Sequence, residues 1–384
     1  MRYRSPLLPF AALSACYFAH VGFFVPYLPL WLKELGFPIV VISLLTSLQS
    51  FTRVFAPYGW GALSDHTGER VRVLRFSAGV ALAASAGLWF NGGPWWVALV
   101  LLVLFTHTGS MMSLTEAAMA HLVAGDWGRY GRVRLWGSVG FLATVFLAGA
   151  WFERFGMASF PAWSVVTLVL VLLCTFWLPD TREQPAAQSR DLKEPVGPVL
   201  RRPQVRWFFL SLLFHVMAHF AVYGFLSLYL DALGYSKAMI GTLWAVSVAV
   251  EIAWFFAQGR FIGRLPMSRW LVVCAAAMVL RMALTGGLGF SLIALFVAQV
   301  LHALTFATHH TACIAMISHN FPGRLRGRGQ ALFTVIGYGI GGVVGVLAGG
   351  ALASRYGYEA MFLAATSLAV VATLCAWRVV RLDR

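Results

Sequence analysis

The sequence predicts an all-α membrane protein: twelve transmembrane helices in two six-helix bundles. Three observations carry this reading. Only 11% of the 384 residues are charged and 60% are hydrophobic, with a mean hydropathy of +0.77. A water-soluble domain needs about 25% charged residues to cover its surface, so a soluble globular protein is excluded. Apolar stretches of about 20 residues, the length that crosses the hydrocarbon, recur at 7–32, 39–63, 74–91, 95–119, 135–152, 161–178, 206–230, 238–259, 270–289, 291–317, 329–352 and 359–377. The single long polar loop, 179–205, holds Pro185, Pro195, Pro198 and Pro203 and divides the stretches six and six. The expected organisation is therefore a bundle over 1–178, a linker over 179–205 and a second bundle over 206–384.

The first apolar run, Leu7 to Leu32, follows Arg2 and Arg4 and is too long for a signal-peptide core, so it reads as the first span. The five cysteines (Cys16, Cys174, Cys274, Cys313, Cys375) lie far apart in apolar runs, without a C-x-x-C, so neither a disulfide framework nor a zinc site is expected. The charge balance, 29 Lys and Arg against 14 Asp and Glu, gives a net +15. Its distribution sets the expected orientation. With both termini and the linker placed on the cytoplasmic side, 23 basic residues fall in cytoplasmic segments, 4 in the opposite loops and 2 inside spans. The acidic residues divide 8, 4 and 2. All of the surplus then lies on one face, and topology explains it without a nucleic-acid partner.

An internal repeat supports the division. Segment 32–61 overlays 230–259 at an offset of 198 without a gap, aligning Leu32 with Leu230, Leu35 with Leu233, Gly36 with Gly234, Ile42 with Ile240 and Gly61 with Gly259. Two six-span halves related in this way are a transporter architecture, with a substrate site at mid-membrane. Candidate site residues follow from charge inside the spans, where an ionisable side chain is costly and marks function. There are four: Arg53 (span two), Glu116 (four), Glu251 (eight) and Arg281 (nine). Gln49 precedes Arg53 by four residues, and Trp244 precedes Glu251 by seven, on shared helical faces. Span ten carries His302, Thr305 and His309 at i, i+3 and i+7, again one face. An imidazole near a carboxylate suits proton transfer. Glu251, His302 and Glu116 are the expected proton-coupling residues; Arg281, Arg53, Gln49, Trp244, Thr305 and His309 are the expected substrate-binding residues. No metal site is expected, because neighbouring His309 and His310 diverge by about 100° on a helix. In span eleven, Gly337, Gly341, Gly345 and Gly349 repeat every four residues, a stripe for close helix packing.

The loop between spans two and three reads Gly61-Ala-Leu-Ser-Asp65-His-Thr-Gly68-Glu-Arg70. It resembles the loop motif of the major facilitator superfamily, with Gly61, Asp65, Gly68 and Arg70 at the family's spacings. His66 and Glu69 depart from the basic residues usual there. Asp65 can pair with Arg70 or cap a neighbouring helix, forming a conformational latch. Tyr130-Gly-Arg-Val-Arg-Leu-Trp-Gly-Ser138, Ala249-Val-Glu251, Arg281, Leu301-His302 and His310 resemble the 3-phenylpropionate/proton symporter branch of that superfamily. The layout of Glu in spans four and eight, Arg in nine and His in ten is also similar to the lactose/proton symporter. The resemblance implies that the residues of spans eight, nine and ten couple substrate to protons.

The expected function is thus proton-coupled uptake of a small organic solute, possible substrates including an aromatic carboxylate, by a monomer in a bacterial inner membrane. The expected partners are that solute, protons and lipid, with no cofactor. An efflux antiporter is the alternative, although span five lacks a proline. A transporter-like sensor is less supported, because the termini and linker are short. No Ser/His/Asp set, HExxH or Walker loop points to an enzyme.

Overall fold

The computed structural model describes residues 7–90, 92–123, 127–179 and 195–383. Linker residues 180–194, Arg2, Arg4, and the side chains of Tyr130 and Arg132 lie outside the described part. Among the described residues the secondary structure is helical throughout. The chain runs through α1 (Leu8–Glu34), α2 (Ile39–Thr52), α3 (Ala56–Thr67), α4 (Arg70–Ala86), α5 (Gly93–Thr108), α6 (Met111–Val123), α7 (Trp127–Phe155) and α8 (Phe160–Trp177). After the linker come α9 (Gly197–Arg201), α10 (Pro203–Ala232), α11 (Lys237–Ala257), α12 (Met267–Gly287), α13 (Leu292–Val300), α14 (His309–Asn320), α15 (Arg326–Phe333) and α16 (Gly342–Leu382). Helices dominate because lipid offers no partner for a backbone N–H or C=O, and a helix satisfies both internally.

Among the described residues, eleven helical stretches are long and apolar enough to cross a membrane, the last being Arg326–Leu382 at 57 residues. That stretch holds two spans. Gly357, at φ 85° and ψ 169°, interrupts the helix between them, which makes twelve. The expected seventh span starts earlier than its apolar run, at Pro203, a residue suited to a first helical turn because its missing N–H has no partner there anyway.

Span two departs from the continuous helix expected over 39–63. It breaks between Thr52 and Ala56. Pro57 is the cause: it cannot donate to the carbonyl of Arg53, and its ring crowds that carbonyl. Arg53 therefore sits in the bend, and the helix carrying Gln49 stops one residue before it.

The chain separates into two units, residues 1–37 with 52–190, and residues 38–51 with 191–384. In the first, α1 crosses α7 closely: a Cβ on Gly140 would collide with the backbone of Ala15, and one on Gly22 would lie 2.7 Å from the Phe141 carbonyl oxygen. The aromatic rings of Phe23, Phe24, Trp31 and Phe160 fill the space between α1 and α8. In the second unit α16 takes the corresponding place against α10. The glycine stripe packs there, Gly345 against Met217 and Gly349 against Phe225, while Gly342 and Gly350 seat Ser50 and Ser43 of α2.

The repeat is visible in the backbone. Gly36 (φ 82°) and Gly234 (φ 84°) end α1 and α10 in the same left-handed turn. In one, Phe37 N–H reaches back to Leu32 O; in the other, Tyr235 N–H reaches back to Leu230 O. This is a helix-ending motif that needs positive φ at its glycine. We expect Gly140→Ala to cost about 1–3 kcal/mol, the price of overpacking. Gly79→Ala, with open space at its Cβ position, should leave thermal unfolding in detergent unchanged or slightly raised.

Candidate functional site

The second unit buries a guanidinium. Arg281 is 1% exposed and projects from the C-terminal half of α12. Its Nη1 donates to Thr305 Oγ1 at 2.9 Å and to His302 Nδ1 at 3.1 Å, and its Nη2 donates to Gln299 Oε1 at 3.3 Å. All three acceptors belong to span ten. A guanidinium only donates, so Nδ1 of His302 must carry a lone pair and the ring proton must sit on Nε2. That Nε2–H faces Glu251 Oε2 on α11 at 3.3 Å. The order is therefore carboxylate, neutral imidazole, guanidinium, with His302 as the bridge between two opposite charges.

The segment of span ten that supplies these acceptors is not an ordinary α-helix. Residues Ala303–Thr308 form a π-helix between α13 and α14. His309 N–H bonds to Leu304 O, five residues back, and to Phe306 O. Thr305 O, its α-helical acceptor, instead accepts from His215 Nε2 of α10 at 2.8 Å. Thr305 thus ties α10 to α12, through its carbonyl on one side and its hydroxyl on the other. π-turns recur at functional positions, and a second one, Thr334–Gly341, lies in span eleven.

The π-turn also redistributes the expected histidine face. His302 and Thr305 both reach Arg281. His309 turns to α10 and stacks on His215, with ring centroids 3.6 Å apart and planes 7° from parallel, and its ring lies 3.6 Å from Cys313 Sγ. Trp244 donates its indole N–H to Ser227 Oγ at 3.1 Å and stacks on Tyr223. Gln49 is half-buried on α2. In the first unit Arg53, Glu116 and Arg134 lie within electrostatic reach of Tyr17, and the Arg134 guanidinium also sits 4.2 Å from the Phe18 ring centre. At the loop motif, Arg70 Nη2 meets Asp65 Oδ1 at 3.0 Å across the turn at Gly68 (φ 67°). Of the alternatives open to Asp65, the pair with Arg70 is the one formed.

Gln299, His215 and Arg134 were not among the expected site residues. Gln299, three residues before His302 in an apolar span, carried a legible signal. His215 did not, because its role depends on a carbonyl freed 90 residues away.

Twelve apolar helical spans, with a buried ion network among the described residues of the second unit, fit a multi-pass membrane transporter of small solutes. The chain belongs to the MFS_1 like family, whose model matches residues 10–364. It is 28% identical to the probable 3-phenylpropionic acid transporter of Escherichia coli (strain K12), covering 79% of both chains. It is 26% identical to the maltose permease of Geobacillus stearothermophilus, covering 92% of this chain and 89% of that one. Among solved structures it resembles the nucleoside transporter NupG, with a TM-score of 0.83 at 15% identity, over 98% of this chain and 100% of the other.

Replacing an acceptor of a buried guanidinium leaves a charged donor unmatched. Thr305→Val and Gln299→Leu should each lower unfolding stability by about 1–3 kcal/mol. Because both act on one side chain, the double variant should depart from the sum, which thermal unfolding of the four proteins will measure.

Proposed function

We propose that the protein is a proton-coupled symporter that imports a small organic anion, an aromatic carboxylate being the best fit, by alternating access of its two bundles. The relatives carry acid, sugar, nucleoside and multidrug-resistance names, so the substrate class comes from the site. The observation that carries it is the offset between Arg281 and Glu251. The cation is held by neutral acceptors, and its counter-charge stands one imidazole away.

With Glu251 ionised, His302 links the two charges and the cluster is neutral overall. A proton on Glu251 removes the anion and leaves the guanidinium uncompensated. A substrate carboxylate then supplies the missing charge. At the effective dielectric of a protein site, a charge pair at such separations is worth on the order of 2 kcal/mol. Proton and anion therefore bind cooperatively, by a factor of about 30, and that cooperativity is the coupling. Glu116, which like Arg53 lies within electrostatic reach of Tyr17, serves as a second ionisable site in the first bundle. Orientation follows the charge asymmetry, with both termini cytoplasmic, in the inner membrane of a bacterium, and the monomer is the working unit. The Asp65–Arg70 pair latches one conformation.

Uptake of radiolabelled aromatic acids into proteoliposomes with an imposed proton gradient tests this reading. Glu251→Gln should abolish uphill accumulation while keeping substrate counterflow. If that variant concentrates substrate as wild type does, the coupling role is wrong. Asp65→Asn should change stability by less than about 1 kcal/mol, since Asp65 itself is exposed to solvent, yet slow transport severalfold in the same assay.

A further inference from the structure

The five cysteines are scattered along the chain, but two of them meet in the fold. Cys16 lies in the first half of α1 and Cys174 in the last turn of α8, 158 residues apart, and their sulfurs are 3.6 Å from one another. Both side chains are half-buried, whereas Cys274, Cys313 and Cys375 are buried. All five are free thiols.

The seam between α1 and α8 holds the contact in place. At one end Phe24 and Trp31 pack on Phe160, each at 5.1 Å between ring centroids. Further along, His20 Nδ1 meets Thr167 Oγ1 at 2.9 Å. His20 is four residues after Cys16 and Thr167 seven before Cys174, so each shares a helical face with its cysteine. The two helices therefore run antiparallel, with their register fixed at two levels before the thiols meet. The thiol contact adds little to that packing, because S–H is a weak donor and sulfur a weak acceptor. What the seam supplies is proximity. A disulfide holds its sulfurs about 2 Å apart, so an approach of about 1.6 Å, shared between two side chains, would close one.

We propose that Cys16 and Cys174 are an oxidation site: a hydroperoxide joins them in a reversible disulfide that staples span one to span six and stabilises the first unit. One sulfur attacks hydrogen peroxide, the O–O bond breaks, and a sulfenic acid and one water form, the thiol proton leaving with the water. The second sulfur displaces the sulfenic oxygen, forming the S–S bond and releasing a second water. Each sulfur has then lost one electron, and the peroxide has gained two. A small dithiol reopens the bond by exchange. Both cysteines belong to the first unit. A bond across so long a loop restricts the unfolded chain more than the folded one, so the oxidised protein resists unfolding better.

The test treats the purified full chain with hydrogen peroxide, denatures it, labels it with a maleimide and measures the intact mass. Untreated protein should take up five labels, oxidised protein three, and oxidised protein reduced with dithiothreitol five again. Proteolytic mapping should find the Cys16 and Cys174 peptides joined. Cys16→Ala and Cys174→Ala should lose no pair of labels to peroxide, and either variant decides this point should the other fail to fold. Thermal unfolding of oxidised wild type should shift upward by about 5 °C, and dithiothreitol should reverse the shift. Five labels after peroxide would overturn the proposal. So would a pair of labels lost from either variant, which places the bond elsewhere, or an oxidised protein that melts no higher than the reduced one.

Discussion

A guanidinium cannot shed its charge inside a bundle, so Arg281 must be matched by the helices around it. Much of the second unit is arranged to do that. Span ten faces α12 with Gln299, His302 and Thr305 in succession, each giving one acceptor. None of the three is an anion. The full counter-charge is Glu251, held behind the imidazole. A direct Arg–Glu contact would be a self-sufficient pair, costly to open. A bridged one keeps the full counter-charge one imidazole away from the guanidinium, and the proposed coupling rests on that separation.

The π-turn at Ala303–Thr308 is the backbone consequence of that demand. It shifts the hydrogen-bond register so that Thr305 O is free for His215, and it turns His309 away from Arg281 toward α10. The same residue then holds α12 by its hydroxyl and α10 by its carbonyl. A shift of span ten relative to α10 or α12 at this level would break one of the two Thr305 hydrogen bonds.

The packing of each unit obeys a different constraint. Lipid tails are as apolar as the side chains, so helices gain little from burial and associate through close approach. Both units solve this with small residues at the matching crossing. In the first, α1 meets α7 over Gly22 and Gly140; in the second, α10 meets α16 over Gly345 and Gly349. These are spans one with five and seven with eleven, equivalent pairs in the six-span repeat. Polar side chains join the two types of packing sparingly, as where His20 on α1 contacts Thr167 on α8 at 2.9 Å.

Fold class, span number, the repeat and the glycine stripe were all legible before any coordinate. Each is a property of composition or period along one helix, and in lipid the backbone has few ways to satisfy itself. Arg281, Glu251 and His302 were legible too, because an ionisable residue in an apolar run stands out by its cost. Their order in space was not. That His302 stands between the charges, that His309 leaves the face it should share, and that His215 belongs with Thr305 all depend on helix phase. Phase past residue 303 is set by a π-turn stabilised by side chains on α10 and α12. The break at Arg53 lay between these cases, since Pro57 announces it four residues ahead. Hydropathy is read along the chain and survives without neighbours; hydrogen-bond partners are chosen across helices, and a shift of one residue in register changes which atoms meet.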